Sequence, residues 1–160
     1  MLEDPRITAM GLFVEAFTGV NARLNLQLAE HGLGSVDFEV LVRLSRSPGG
    51  ELRMTDLAAQ TGLSTSGVTR VVDRLERDGL ATRRACPTDR RGSFTVVTEA
   101  GVAKMHEVLP GHVALIEQWF TGLLSPADLA SLLTSLRTIR DAVRPDATSG
   151  VQPANLQNAA

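Results

Sequence analysis

The sequence predicts a mainly helical fold with one small β-hairpin, and three observations support this prediction. Apolar residues recur at spacings of three and four through most of the chain, as on the buried face of a helix. Between Leu80 and Thr98 that spacing gives way to two extended segments around a run of turn formers. Helix-start signals such as Ser125-Pro126 separate the helices. With 160 residues, 43% of them hydrophobic, the chain can bury one substantial core.

Residues 57–75 have the pattern of two short helices joined by a tight turn. Ala58 is small enough for the helices to cross closely, and Gly62 can take the positive φ of the turn. Val68 and Val71 are spaced to pack the second helix against the first. An ordinary helical hairpin shares these features, but the β-hairpin that follows favours a DNA-binding helix-turn-helix.

The second of these helices separates an apolar face from a polar one. Its apolar stripe contains Val68, Val71, Val72 and Leu75. Hydroxyls and guanidiniums on the other face can contact phosphates and base edges in a DNA groove. Arg70 is the leading base reader, and Ser64 also caps the helix. The predicted DNA contacts of this helix are Ser64, Thr65, Ser66, Thr69, Arg70 and Arg74. For Arg74 and Arg77 the alternative is a solvated face with intrahelical ion pairs.

After Gly79, residues 80–85 and 93–98 predict a two-stranded wing. Its tip carries Asp89, Arg90 and Arg91, which we predict to contact DNA. Arg91 is suited to the narrow minor groove, with the Asp89 carboxylate holding its stem in place. A solvated hairpin tip is the alternative.

Together these residues resemble the MarR family of bacterial winged-helix transcription regulators. The resemblance extends over residues 6–143 and implies a winged helix-turn-helix with dimerisation helices at both ends. It implies a homodimer that binds a pseudopalindromic operator, usually as a repressor. A small ligand or oxidation would lower the affinity of this dimer for the operator. The matching motifs are Leu57-Ala58, Val68-Thr69-Arg70, Asp73-Arg74-Leu75-Glu76, Gly79-Leu80, and Asp89-Arg90-Arg91-Gly92 followed by Val96-Val97-Thr98.

The predicted organisation is one domain over residues 1–143, with a DNA-binding lobe at about 35–98 and flanking helices at about 6–31 and 99–143. The apolar stripes of the flanking helices are too extensive to be buried within one chain. We therefore expect a second copy of the chain to cover the apolar surface that remains. Intramolecular packing of three helices is the alternative. Residues 144–160 are predicted to be a disordered tail. The stripes are Met10, Phe13, Phe17, Val20, Leu24 and Leu28; Met105, Leu109, His112, Ile116, Trp119 and Leu123; and Leu129, Leu132, Leu133, Leu136, Ile139 and Val143.

The resemblance places an effector cleft between the first helix, residues 35–41 and the fifth helix. Thr69 and Arg83 match positions at which some members bind aromatic carboxylates. We expect a small, largely apolar or anionic aromatic effector. The three histidines, His31, His106 and His112, lack partners at metal-ligand spacing, so neither a metal site nor a cofactor is predicted.

Cys86 is the one cysteine of the chain and is expected to be exposed at the base of the wing. Arg83 and Arg84 beside it would favour its thiolate. A redox-responsive regulator acting through Cys86 is therefore one alternative function, and a winged-helix module that binds an acidic protein is another. Peroxide-sensing members of the family usually carry their reactive cysteine in the first helix, so this chain departs from their pattern.

The charge distribution agrees with DNA binding. The whole chain has a formal charge of −2, but residues 53–98 carry eight Arg and five acidic residues, leaving a basic lobe in an acidic protein. Catalytic and cofactor motifs are missing from the sequence, which argues against an enzyme. No apolar run approaches the roughly 20 residues that span a bilayer, and the N-terminus does not resemble a signal peptide, so we expect a cytoplasmic protein.

Overall fold

The computed structural model describes residues 4–86 and 89–148, except for the side chains of residues 89–91. Within this part, helices dominate and one small antiparallel sheet lies between them, which confirms the predicted fold class. None of the described helices is long and apolar enough to cross a membrane. The elements are α1 (Pro5–Glu30), α2 (Ser35–Arg46), β1 (Glu51–Arg53), α3 (Met54–Thr61), α4 (Thr65–Arg77), β2 (Ala81–Cys86), β3 (Asp89–Val97), α5 (Glu99–Trp119) and α6 (Pro126–Val143).

The helix-turn-helix forms from α3 and α4, as predicted. Gly62 ends α3 with a φ of 68°, a left-handed conformation that costs a side-chain-bearing residue free energy. Ser64 then caps α4 by accepting a hydrogen bond from the Gly67 backbone N–H at 3.1 Å. At the far end of α4, Gly79 has a φ of 72° and turns the chain into β2. These local signals fix where the second helix begins and ends.

The sheet has three strands in the order β1-β3-β2, one more than the predicted wing. The additional strand, β1, pairs antiparallel with β3, Leu52 opposite Thr95. Three residues are too few to display an alternating pattern, which is why the sequence did not predict β1. Leu52 and Thr95 are buried, so β1 joins the wing to the core.

One core lies at the junction of α2, α3, α4 and α5, and the buried stripe of α4 belongs to it as predicted. The terminal helices α1 and α6 contribute little to it. Phe13 and Phe17 of α1 are more than half exposed, and no residue of α6 is buried. The core side chains include Leu28, Val40, Leu41, Leu44, Leu57, Val68, Val72, Leu75 and Val108.

The C-terminal end differs from the prediction in two places. Helix α5 ends at Trp119, and Leu123 lies in a separate 3-10 turn, because Phe120 leaves the helical conformation. Pro145–Thr148, predicted as part of a disordered tail, forms another 3-10 turn against α3. Arg43 fixes this turn by donating a hydrogen bond to the Ala147 carbonyl at 3.0 Å. Residues 149–160 lie outside the described part of the chain.

Candidate nucleic-acid interface

The first turn of α4 presents a row of exposed hydroxyls. Thr65 and Ser66 are exposed, and the hydroxyls of Ser64 and Ser66 lie 3.1 Å apart. Thr69, one turn later, is half-buried and donates its hydroxyl proton to the Thr65 carbonyl at 2.8 Å. This end of the helix also carries its unpaired backbone N–H groups, which attract anions such as phosphate.

Arg70 continues this surface, and its side chain is exposed. Among the described side chains, no carboxylate forms an ion pair with it. The two other arginines of this helix, Arg74 and Arg77, each lie next to a carboxylate. Arg77, one of the two arginines for which a solvated face was the alternative, is exposed and lies 3.5 Å from Asp78.

Arg74 was predicted to contact DNA, but the structure gives it a partner inside the protein. Its Nη2 lies 2.5 Å from Oδ1 of Asp37, and its Nε donates to both carboxylate oxygens of Asp37 at 3.0 and 2.9 Å. Asp37 is buried in the first turn of α2. These hydrogen bonds raise the pKa of Arg74 above its ordinary value. Arg74 therefore connects α4 to α2 and does not form the intrahelical ion pair that was the alternative.

Arg83, a candidate ligand contact, is held by α4. Its guanidinium forms ion pairs with Asp73 at 2.6 Å and with Glu76, and also donates to the Thr69 carbonyl at 3.3 Å. The Glu76 carboxylate accepts a further hydrogen bond from the Arg83 backbone N–H at 2.7 Å. Thr69 and Arg83 therefore lie together, and these hydrogen bonds connect β2 to α4, the second helix of the helix-turn-helix.

The outer part of the wing carries a feature that sequence reasoning missed. Phe94 lies on the central strand with Arg53 and Arg84 directly opposite it on the two outer strands. Both guanidinium carbons lie over its ring, at 5.4 and 5.0 Å from the centroid, within the range of cation–π attraction. Arg84 also pairs with Glu51 at 2.6 Å. The only sequence signal was an aromatic residue in a strand with basic neighbours.

The predicted minor-groove residues lie at the start of β3. The backbone of Asp89 pairs with Cys86 across the sheet, and Arg90 and Arg91 follow in the same strand. Their side chains lie outside the described part of the structure. The strands therefore support a hairpin where one was predicted, whereas the roles of these three side chains stay predictions.

Cys86 is buried, with 7% of its surface exposed, so the expectation of an exposed thiol was wrong. It ends β2 just after an irregularity, where the strand pairing shifts register between Ala85 and Cys86, and both preceding residues, Arg84 and Ala85, are exposed. Arg83 and Arg84, which were expected to favour a thiolate, both have carboxylate partners.

The histidines have separate surroundings. His112 is buried on α5, where its Nδ1 lies 3.0 Å from Oε1 of Gln27 and its ring 4.4 Å from that of Phe38. Burial lowers the pKa of His112. His31 pairs with Glu107 at 2.9 Å, which together with Lys104 holds the pKa of the Glu107 carboxyl below its ordinary value. Among the described residues, no group of three metal-ligating side chains converges.

Comparisons with known proteins agree with this geometry. Residues 31–92 match the model of the MarR family. The transcriptional regulator MhqR of Bacillus subtilis is 32% identical over 108 residues, which are 68% of this chain and 73% of MhqR. This chain belongs to the MarR family. It is a DNA-binding transcriptional regulator and not an enzyme.

Two solved structures from Streptomyces coelicolor are similar over almost the whole described fold. The MarR family regulator AbsC is 37% identical with a TM-score of 0.85, covering 91% of this chain and 98% of AbsC. Sco3205, a MarR family regulator solved in complex with DNA, is 32% identical with a TM-score of 0.85, covering 91% of this chain and 92% of Sco3205. The winged-helix architecture is therefore shared with a regulator that has been seen on DNA.

Proposed function

We propose that this regulator represses transcription by binding a pseudopalindromic operator as a homodimer. Helix α4 would enter the major groove and the wing the adjacent minor groove. The observation that carries the proposal is the exposed polar surface of α4, on which Arg70 projects without a carboxylate partner among the described side chains. Such a guanidinium is available to hold guanine O6 and N7. The proposed DNA contacts are Ser64, Thr65, Ser66, Thr69, Arg70, Asp89, Arg90 and Arg91.

Exposed apolar side chains on the terminal helices support the homodimer. Met10, Phe13 and Phe17 are 61%, 52% and 60% exposed along one side of α1. On α6, Ile139 and Val143 are 54% and 70% exposed. Contiguous apolar surface of this kind is a mark of an association site. Sedimentation equilibrium at micromolar concentration should give a dimer, and a stable folded monomer would contradict the proposal.

The operator can be found by sequencing the genomic fragments that the purified protein retains. A two-fold dimer predicts an inverted repeat whose half-sites lie about 34–36 Å apart, which is one helical turn of DNA. An Arg70→Ala variant carried through the same selection is the control, because it should lose the enrichment. Retention of fragments without any common sequence would contradict sequence-specific recognition.

Repression itself is tested with a reporter gene placed behind the selected operator. Expression should rise when the regulator is deleted and fall when it is restored; the opposite response would make it an activator. A transcriptional regulator must reach genomic DNA, so we propose that the protein acts in the cytoplasm.

We further propose that a small, largely apolar or anionic aromatic effector binds in the cleft bordered by α1, α2 and α5. Its binding would cause the protein to release the operator. The rings of Phe38 and His112, 4.4 Å apart and tilted by 47°, meet the Gln27 amide where these three helices join, and this junction carries few charges. Such an effector must bind better to the form whose recognition helices are wrongly spaced, with a coupling of about 1 to 3 kcal/mol.

The discriminating experiment compares operator release by phenolic carboxylates, zinc and an organic peroxide. Trp119 can report binding by fluorescence, since Arg23 of α1 lies 4.3 Å over its ring on α5. Phenolic carboxylates should release the operator from both the wild type and a Cys86→Ser variant. Release by peroxide alone, lost in Cys86→Ser, would instead make the protein a redox switch.

A further inference from the structure

The ion pair between Asp37 and Arg74 differs from the other ion pairs of the described chain in where it lies. Only 9% of the Asp37 side chain is exposed, whereas the carboxylates in the other pairs are between 27% and 63% exposed. A buried carboxylate is costly unless it is paired and hydrogen-bonded, so Asp37 depends on Arg74. The fork of Arg74 meets this requirement with three short contacts.

The surroundings of Asp37 leave its carboxylate little room to move. Gly34, which precedes α2, lies so close that a Cβ on it would be 3.1 Å from Oδ2 of Asp37. The next residue, Phe38, packs against His112 of α5. The packing of α2 against α5 therefore holds the Asp37 side chain in place independently of α4.

Through its ion pair with Asp37, Arg74 anchors α4 close to the face that is proposed to contact DNA. It follows Arg70 by four residues, so the two side chains leave α4 only about 40° apart around its axis. The apolar stripe of α4 rests on the core through Val68, Val71 and Val72, but the hydrophobic effect that drives their burial is non-directional. A bidentate ion pair is directional. Together with the Arg83 network, it restricts the rotation of the helix and hence the direction in which Arg70 points.

We propose that Asp37 and Arg74 are positioning residues for sequence recognition. Arg74 does not contact DNA; its ion pair with Asp37 holds α4 in the rotation that aims Arg70 at base edges. This inference rests on the proposed operator binding. It reassigns Arg74, which the sequence alone placed among the DNA contacts.

The test is a double-mutant cycle with Asp37→Asn, Arg74→Gln and the double variant, measured on operator and on random DNA over a range of salt concentrations. Each single variant should lose about tenfold in operator affinity, and the double variant no more than the worse single, because the two residues act as one unit. Random DNA should bind each variant as it binds the wild type. The slope of log affinity against log salt should not change, since no phosphate contact is removed.

Arg77→Gln is the matched control, because it removes an exposed arginine from the same helix without touching this ion pair. Far-UV circular dichroism and melting curves confirm that each variant is folded at the binding temperature. A lower melting temperature with unchanged operator affinity would overturn the proposal by reducing the pair to a structural role.

A direct phosphate contact by Arg74 predicts the opposite pattern. Arg74→Gln would then weaken operator and random DNA equally and lower the salt slope by about one. Asp37→Asn would leave binding unchanged or tighten it, because it removes a negative charge beside a DNA contact. Either result overturns the proposal. A wild type that does not prefer the operator over random DNA would instead refute operator recognition itself, which keeps the two failures distinct.

Discussion

In the proposed complex with the operator, Arg70 is the residue on which base recognition depends most directly. Arg70→Ala removes the exposed guanidinium of α4 and should cost about 1 to 3 kcal/mol of binding free energy on the operator, and much less on random DNA. Binding isotherms on the two DNAs measure the difference. Arg77→Ala, exposed and next to Asp78, should affect both DNAs weakly. Equal losses on both DNAs for Arg70→Ala would reassign Arg70 to the phosphate backbone.

His112 makes stability depend on pH. Burial lowers its pKa in the folded protein, whereas the unfolded chain takes up the proton at about 6.5. The unfolded state therefore binds more protons as the pH falls, and the stability present above about 6.5 is progressively lost below it. The melting temperature should fall between pH 7 and pH 5.5.

A His112→Gln variant should reduce that fall, since a glutamine side chain can still hydrogen-bond to Gln27 but does not titrate. His106→Gln, on an exposed position of the same helix, is the control and should keep the wild-type pH dependence. If both variants keep it, another group is responsible for the pH dependence.

At the scale of elements, Gly101 determines how α5 joins the DNA-binding lobe. A Cβ at this position would lie 2.1 Å from the Leu80 carbonyl oxygen and 2.8 Å from Cγ2 of Val97. Gly101→Ala should therefore lower the free energy of unfolding by about 1 to 3 kcal/mol through overpacking.

Gly79→Ala is a useful comparison, because that position has a φ of 72° but open space around it. It should cost roughly 1 kcal/mol from backbone strain alone. Chemical denaturation measures both changes. If Gly101→Ala lowers the free energy of unfolding no more than Gly79→Ala does, the backbone at Leu80 can move away from α5 at little cost.

The wing has a test that depends on sign. Arg91→Ala should weaken DNA binding and flatten its salt dependence, because an arginine in the minor groove releases counterions. Asp89→Ala should also weaken binding, even though it removes a charge that repels phosphate. Fluorescence anisotropy at several salt concentrations measures both. Tighter binding by Asp89→Ala would show that the carboxylate does not support an arginine.

The sequence predicted those elements whose signals are local. The stripe of α4, its Ser64 cap and the turns at Gly62 and Gly79 could be identified because each is defined within a few residues. The partner of Arg74 could not be identified, because Asp37 lies 37 residues away and only the packed fold brings the two together. Strand β1 was too short to show a period. The burial of Cys86 likewise follows from a register shift between Ala85 and Cys86, which the sequence does not show.

For the whole molecule, the described chain combines a well-packed lobe with terminal helices that remain largely exposed. The buried core belongs to α2–α5 and the sheet, while α6 returns to the lobe through the turn that Arg43 holds against α3. A second copy covering α1 and α6 would fix the distance between two recognition helices. That distance would determine which spacing of two half-sites the proposed dimer can bind together.

Spacing between half-sites therefore tests the central claim most directly. Operators are prepared with the two half-sites at their natural separation and with about 5 base pairs inserted, which turns one half-site to the opposite side of the duplex. Affinity for the natural spacing should be high, and the insertion should reduce it to that of a single half-site. Equal affinity for both spacings would contradict recognition by a two-fold dimer whose α4 helices occupy successive major grooves.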